Sequence, residues 1–114
     1  MEKVFVKKVG KKGYVENVKD LNLDYMQRKV GGLIDIPLIN LELTNKGIDI
    51  VCNDEGLELK PNIAVVSTGN NLIYINGDVI FTSFDEEGDS IGLNNNQIKY
   101  LKKLLKEKRI IIEL

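Results

Sequence analysis

Apolar and polar residues alternate over several short stretches of the chain, which is the pattern of half-buried β-strands. Strands are predicted at residues 3–9 and 14–18, on either side of a turn rich in glycine and lysine. Further strands are predicted at residues 33–43, 48–52, 72–75, 79–83 and 110–112, with a short extended piece at 57–59. Residues 61–66 begin with a proline and are interpreted as a helical turn or a loop.

The middle of the chain carries signals for a hairpin and for a sheet edge. Leu41 and Leu43 alternate with polar residues as a strand does, and residues 44–47 end in Gly47, where a short hairpin often needs a positive φ. Pro37 cannot donate to a strand ladder, so it indicates an edge position, a bulge or a break. An exposed edge here would allow a dimer to form by strand pairing.

Asn76-Gly77 is the strongest two-residue hairpin signal in the chain. It predicts that the strands on either side of it pair with each other. The alternative is a bulge at Gly77-Asp78 inside one continuous strand.

A first helix is predicted between Asn22 and Gly31. The side chain of Asn22 can cap the free N–H groups of the first turn, and Gly31 can adopt the left-handed conformation that ends a helix. Leu23, Met26 and Val30 recur at helical spacing and form the predicted buried stripe.

A second helix is predicted near the C-terminus. Asn94 and Gln97 have the spacing of a capping box, in which each side chain bonds to the backbone of the other residue. The predicted apolar stripe consists of Ile98, Leu101 and Leu105 and is broadened by Leu104. The order of these elements predicts one α+β domain spanning residues 1–114, a mostly antiparallel sheet with hairpins and two short helices packed on one face.

The first helix and the strand after it resemble the signature of an uncharacterised protein family. The matching residues are Leu23-x-x-Met26-Gln27-x-x-Val30-Gly31-Gly32-x-Ile34-Asp35. Shorter matches follow in order at Asp54-Glu55-Gly56, Pro61-Asn62 with Ala64, Asn76-Gly77-Asp78-Val79, Gly88-Asp89 and Gln97-Ile98. The family is a domain of unknown function found in phages, plasmids and other mobile elements of bacteria, and the similarity covers residues 14–105. It implies a mobile-element origin but supplies no activity and no catalytic residues.

Composition narrows the range of functions. The chain is 43% hydrophobic and 29% charged, with no apolar run long enough to cross a membrane. A single cysteine, Cys52, excludes an internal disulfide and fits a reducing cytoplasm. The chain has no histidine, which is the commonest general base near neutral pH and a common metal ligand.

The side chains that remain do not form a catalytic or metal-binding pattern. Cys52 alternates in phase with apolar neighbours and has no histidine to activate it, so we expect it to pack as a small hydrophobe. The acidic residues at 85–89 lack the spacing of a calcium loop and indicate a solvated turn. Asp35 and Asp78 either are buried acids, or they point outward or cap a turn. We therefore expect a protein that is not an enzyme and that needs no metal and no cofactor.

Lysines are grouped at two places in the sequence. On the second helix, Lys99, Lys102, Lys103 and Lys106 share one face, which Lys108 and Arg109 extend. The N-terminal group includes Lys7, Lys8, Lys11 and Lys12. If the terminal strands pair, both groups lie near one edge, where they could bind phosphates or an acidic partner. The alternative is a plain solvated face. The aromatic residues nearby are few, namely Phe5, Tyr14 and Tyr100, which argues against single-stranded nucleic acid.

Two glycine-containing segments are weaker candidates for binding an anion through backbone N–H groups. They are Gly31-Gly32 and Ser67-Thr68-Gly69. The alternative at the first is a helix end with tight packing, and at the second a plain turn.

Taken together, these features favour a small cytoplasmic accessory protein of a phage or other mobile element that acts by stoichiometric binding. The expected partner is a host protein, for instance a component of anti-phage defence that it inhibits. Sequestration of a nucleotide signal and nucleic-acid binding are the alternatives.

Overall fold

The computed structural model describes all 114 residues, which form nine strands and three helices. The strands are β1 (Glu2–Lys7), β2 (Tyr14–Val18), β3 (Ile34–Asp35), β4 (Asp49–Asn53), β5 (Pro61–Val66), β6 (Leu72–Asn76), β7 (Val79–Phe84), β8 (Ser90–Ile91) and β9 (Ile111–Glu113). The helices are α1 (Leu23–Val30), α2 (Leu41–Asn45) and α3 (Asn95–Glu107), with a 3₁₀ turn at Gly56–Glu58.

The strands form two antiparallel sheets. The first has the order β2-β1-β7-β4-β3, with β8 also paired to β7, and the second has the order β6-β5-β9. Every strand pair is antiparallel. The predicted α+β class with a mostly antiparallel sheet is therefore confirmed.

Both faces of the first sheet are buried, and the side chains that alternate along its strands enter two different clusters. Val4 and Val6 of β1 join α1 in one hydrophobic cluster, and Phe5 between them joins α3 and the second sheet in another. We call these the α1 cluster and the α3 cluster. The helices thus pack into different clusters, on opposite sides of the first sheet, rather than on the one face that the sequence predicted.

Helix α1 begins and ends where the sequence predicted. The side chain of Asn22 accepts a hydrogen bond from the Tyr25 N–H, and Gly31 ends the helix with a φ of +81°. The buried stripe, however, consists of Tyr25, Met26 and Val30. Leu23 is exposed, so the predicted stripe was wrong at its first position.

The segment predicted as one long strand at residues 33–43 is broken in the structure. Only Ile34–Asp35 is extended, and α2 begins after Asn40, whose side chain accepts hydrogen bonds from the Glu42 and Leu43 N–H groups. Helix capping at Asn40 thus overrides the alternation that suggested a strand. Residues 44–47 end this helix and do not form a hairpin, although Gly47 does adopt a positive φ of +74°.

Residues 57–66 also differ from the prediction. The extended piece at 57–59 is largely the 3₁₀ turn, and residues 61–66 form β5, the central strand of the second sheet. Pro61 is the first residue of β5, where a missing N–H is tolerated.

Asn76-Gly77 is neither a hairpin turn nor a bulge. It carries the chain from β6 in the second sheet to β7 in the first. Gly77 has a φ of +81°, and a Cβ there would lie 2.6 Å from Leu59 Cδ1. The predicted hairpin is therefore wrong, because the strands on either side of Asn76-Gly77 belong to different sheets.

Candidate binding groove

A cleft of about 660 Å³ lies between the turn that joins β1 to β2 and the C-terminal half of α3. We call it the lysine groove. It is lined by Phe5, Lys12, Gly13, Tyr14, Val15, Lys102, Leu105, Lys106 and Glu113. It therefore joins residues from the first strand, the last helix and the last strand of the fold.

The floor of the lysine groove is apolar. The ring of Phe5 is buried and meets Phe81 edge-on, with 6.1 Å between ring centroids and 63° between ring planes. A Cβ on Gly13 would lie 2.4 Å from Phe5 Cε1, so the backbone at Gly13 passes directly over the ring. Any larger residue at position 13 would have to displace this floor.

The rim of the lysine groove is cationic. Lys102 and Lys106 lie one turn apart on α3, and Lys12 faces them from the β1–β2 turn. All three side chains are exposed, and none takes part in the ion pairs of the structure, which join other residues. Glu113 is the one carboxylate in the lining. Three unpaired ammonium groups over an apolar floor give the groove a positive potential.

Tyr14 stands at the edge of the groove and is 38% exposed. Its ring offers an apolar surface with a polar hydroxyl at the tip. Together with the half-buried Val15 and Leu105, it gives the groove room for a ligand that carries an anionic group beside an apolar or aromatic one.

Lys7, predicted to be part of the binding surface, is instead only 2% exposed. It lies on the same face of β1 as Phe5, toward the second sheet, because side chains two residues apart in a strand share a face. Its ammonium group donates to Asn62 Oδ1 and to the Lys8 carbonyl, both at 2.9 Å. Burial lowers the pKa of Lys7 below its usual value, despite the nearby carboxylates of Glu113 and Asp78. Lys7 is therefore a structural residue.

The other predicted cations lie outside the groove. Arg109 forms an ion pair with Glu42 at 3.1 Å, which raises the pKa of the guanidinium, and it is thus already engaged. The remaining positions are surface lysines that do not line the groove, namely Lys8, Lys11, Lys99, Lys103 and Lys108. The terminal strands do not pair, since β9 lies beside β5. The two lysine groups meet because α3 packs next to the β1–β2 turn.

The backbone N–H groups of Gly31 and Gly32 are not free to bind an anion. Both donate to the Gln27 carbonyl, at 2.9 and 3.0 Å, and so complete the end of α1. A Cβ on Gly32 would lie 3.0 Å from Asn53 Nδ2, which shows tight packing. The alternative interpretation, a helix end with close packing, is the correct one.

In the second candidate segment, Ser67-Thr68-Gly69, two of the backbone N–H groups already donate within the protein. The Ser67 N–H donates to the Asn71 carbonyl at 2.7 Å, and the Thr68 N–H donates to the Ile39 carbonyl at 3.0 Å. With Gly69, these residues line a shallow cleft beside α2. The predicted anion site therefore lacks the N–H groups of Ser67 and Thr68.

The structure shows where Cys52 and the acidic residues considered in the sequence analysis lie. Cys52 is buried in the α3 cluster, and burial, with Asp35 and Asp54 nearby, raises its thiol pKa to about 11. Such a thiol stays protonated near neutral pH and is a poor nucleophile.

The acidic residues do not form a site either. Asp85 Oδ1 accepts hydrogen bonds from two N–H groups of its own loop. Asp78 Oδ1 caps the end of β1 through the Val9 N–H, whereas Asp35 is exposed.

A family model for a domain of unknown function, DUF3846, matches residues 1–106. The chain belongs to the DUF3846 family. The matched part of this DUF3846 domain contains every residue of the lysine groove except Glu113. Comparisons with curated proteins and with solved structures gave no match. None of the helices has both the length and the apolar character that a membrane span requires.

Sequence reasoning identified the lysines of the groove but not its floor. The helical spacing of Lys102 and Lys106 placed them on one face, and Phe5 and Tyr14 were noted as nearby aromatic residues. Gly13 gave no such signal, because its role depends on the ring that the fold places beneath it.

Proposed function

We propose that this DUF3846 domain is a non-enzymatic binding module that holds an acidic segment of a protein partner in the lysine groove. The observation that carries the proposal is the convergence of Lys12, Lys102 and Lys106, unpaired, over the apolar floor. An interface of this kind fits a carboxylate-rich segment with an apolar residue that fills the centre.

Two features support a protein partner over nucleic acid. The net charge is −1, so there is no general attraction for a polyanion. Tyr14 is the one exposed aromatic ring in the lining, whereas single strands usually bind along a series of such rings.

The biological setting that we propose follows from the resemblance of the α1–β3 segment to proteins of phages, plasmids and other mobile elements. In this setting the protein acts in the cytoplasm of a bacterial host. It binds a host protein in a stoichiometric complex, and a component of anti-phage defence is the target that such an accessory protein would inhibit. The absence of histidine and the buried, protonated Cys52 support binding over catalysis.

The exposed ring of Tyr14 favours one alternative to a protein partner, namely that the groove binds a nucleotide signal. A base could stack on its exposed ring while the lysines hold the phosphates. A thermal-shift panel of nucleotides tests this, since a ligand that binds only the folded state raises the melting temperature. A flat response across the panel would exclude this alternative.

The test of the main proposal compares two charge-reversed variants in a host pulldown. Lys12, Lys102 and Lys106 are changed to Glu in the first, and Lys11, Lys99 and Lys103 in the matched control. Both sets take one residue from the β1–β2 turn and two from α3, all of them exposed, and only the first lines the groove.

We expect the unmodified protein to capture one protein at a ratio near one to one. The groove variant should lose this partner and the control should keep it. Circular dichroism melts confirm that both variants fold. If both variants keep the partner, or both lose it equally while folded, the groove is not the binding site.

A further inference from the structure

The second sheet ends in an open edge at β6. Along β5, the Val66 N–H bonds to the Ile110 carbonyl and the Asn62 carbonyl accepts the Leu114 N–H, so even-numbered residues of β5 bond toward β9. Odd-numbered residues bond toward β6, in the register Ile63 to Ile75 and Val65 to Ile73. The backbone N–H and C=O groups of Leu72 and Tyr74 therefore point away from the sheet.

The 3₁₀ turn covers the last residue of this edge, Asn76, but the edge lacks two other features that usually protect a strand from pairing. β6 contains neither a charged residue nor a proline. Its apolar side chains are also unusually accessible, with Tyr74 61% exposed and Leu72 and Ile73 exposed as well. The strand is thus able to accept a further strand along its free side.

The edge opens onto a second cleft, of about 280 Å³, which we call the edge cleft. Its opposite wall is built from β3, itself the last strand of the first sheet, and from the turn that follows β4. Leu57 stands on this wall with 95% of its surface exposed. Asp35 and Asp54 are the only charged residues in the lining.

We propose that β6 adds an extended strand from a protein partner, and that this strand alternates apolar with cationic residues. Its backbone would pair with the outward groups of Leu72 and Tyr74, as in other cases of strand addition. Its apolar side chains would contact Ile73 and Leu57, and its cations would meet Asp35 and Asp54.

A second copy of this chain is a poorer fit for the edge. Pairing β6 with β6 would leave both aspartates without a cation, because the strand carries no charge. The edge cleft shares no residue with the lysine groove, so this proposal does not depend on the first one.

The probe is a capped, fluorescein-labelled peptide of sequence Lys-Val-Thr-Val-Lys-Val, with Glu-Val-Thr-Val-Glu-Val as the charge-reversed comparison. Fluorescence anisotropy measures binding. Tyr74→Pro removes the outward N–H but no bond of the β5–β6 ladder, and Tyr74→Ala is the control that keeps the N–H.

We expect the basic peptide to bind and the acidic one not to bind. Tyr74→Pro should weaken the affinity at least about tenfold, which corresponds to the loss of a backbone hydrogen bond, while Tyr74→Ala should weaken it less. The double variant Asp35→Asn, Asp54→Asn should also lose about tenfold for the basic peptide.

Amide exchange measured by NMR gives a reading that needs no variant. Bound peptide should protect the Leu72 and Tyr74 amides, which otherwise face solvent. Absence of binding, unchanged affinity in a folded Tyr74→Pro protein, or unprotected Leu72 and Tyr74 amides at saturation would each overturn the proposal. A dimer that Tyr74→Pro dissociates would overturn it too, since a second copy would then occupy the edge.

Discussion

At the scale of single residues, the buried polar side chains show how far this fold satisfies its hydrogen bonds. Asn62 is fully buried and bonds through both its amide nitrogen and its amide oxygen. Thr82, in the central strand β7, is also fully buried, but its hydroxyl has no hydrogen-bond partner. A buried polar group without a partner costs free energy, so the unpaired Thr82 hydroxyl lowers the stability of the folded state.

Replacing Thr82 with Val should stabilise the protein by about 1 kcal/mol, because the β-branched shape is kept and the unpaired hydroxyl is removed. Urea denaturation measures this as a higher midpoint with an unchanged slope. Thr44→Val is the matched control, since the Thr44 hydroxyl donates to the Asn40 carbonyl at 3.3 Å and its loss should not stabilise. A lower midpoint for Thr82→Val would show that the hydroxyl is satisfied in solution.

Residues whose partners lie close by in the sequence were the predictable ones. Asn22 and Asn94 cap helices because each side chain reaches a backbone N–H three residues further on. Lys7 could not be assigned in this way, since its partner Asn62 lies 55 residues away. The burial of Tyr25 was also missed, because its hydroxyl donates to Glu16, which lies in another element.

At the scale of elements, α1 is held to β2 by one carboxylate. Glu16 accepts hydrogen bonds from the Tyr25 hydroxyl and, at 2.8 Å, from the Lys29 ammonium group. Burial raises the pKa of Glu16, but the bonds from Lys29 and Tyr25 outweigh it and hold that pKa below its usual value. The charged carboxylate therefore stabilises the folded state.

Tyr25→Phe should lower the free energy of unfolding by about 1.5 kcal/mol at pH 7, because a hydrogen bond to a charged group is lost. A carboxyl with a lowered folded-state pKa contributes its full stability above the unfolded pKa and loses it as the pH falls through the folded one. The deficit of Tyr25→Phe should therefore shrink below pH 4.5. Urea denaturation at several pH values measures it.

The control for this element is Tyr100→Phe. Tyr100 donates in a similar way to Glu42, but that carboxylate is exposed, so its bond should matter less. An equal loss in both variants, or a Tyr25→Phe deficit that does not change with pH, would contradict the role given to Glu16.

The elements that sequence patterns misassigned are short and depend on tertiary contacts. Leu41 and Leu43 alternate like strand residues, but Asn40 caps a helix there and also donates to the Val66 carbonyl at 2.7 Å. β5 begins with a proline, and most of its residues are buried because the strand lies between β6 and β9. The longer α3 was predictable because its own periodicity and capping box agree.

At the scale of the whole molecule, Asn62 and Lys7 join the two sheets. Lys7 lies in β1 of the first sheet and Asn62 in β5 of the second. The Asn62 amide donates to the Lys7 carbonyl and to the Gly77 carbonyl at the crossover, both at 2.8 Å. These bonds fix the position of one sheet against the other.

A double-mutant cycle on this pair tests the connection. Asn62→Leu and Lys7→Met should each destabilise by about 2 kcal/mol, because each leaves a buried polar group without its partner. The double variant should cost less than the sum, by about 1 kcal/mol or more. Strictly additive losses in urea denaturation would mean that the two side chains act independently.

The class of the fold was predictable from the alternation of short segments, but the neighbours of each strand were not. Asn76-Gly77 reads locally as a hairpin, yet β6 and β7 lie in different sheets. The lysine groove shows the same limit, since helical spacing predicted Lys102 and Lys106 but not that Lys12 faces them. Such placements depend on contacts between segments far apart in the sequence.

The position of β7 between β1 and β4 has a consequence for how the chain folds. Phe5 of β1 lies opposite Phe81 of β7, so this pairing closes a very long loop, and the entropy lost in doing so slows folding. During synthesis on the ribosome, the β1–β2 and β5–β6 hairpins can form early, but the first sheet must wait until Val79–Phe84 has emerged. We expect the nascent chain to gain its stability late and in one step.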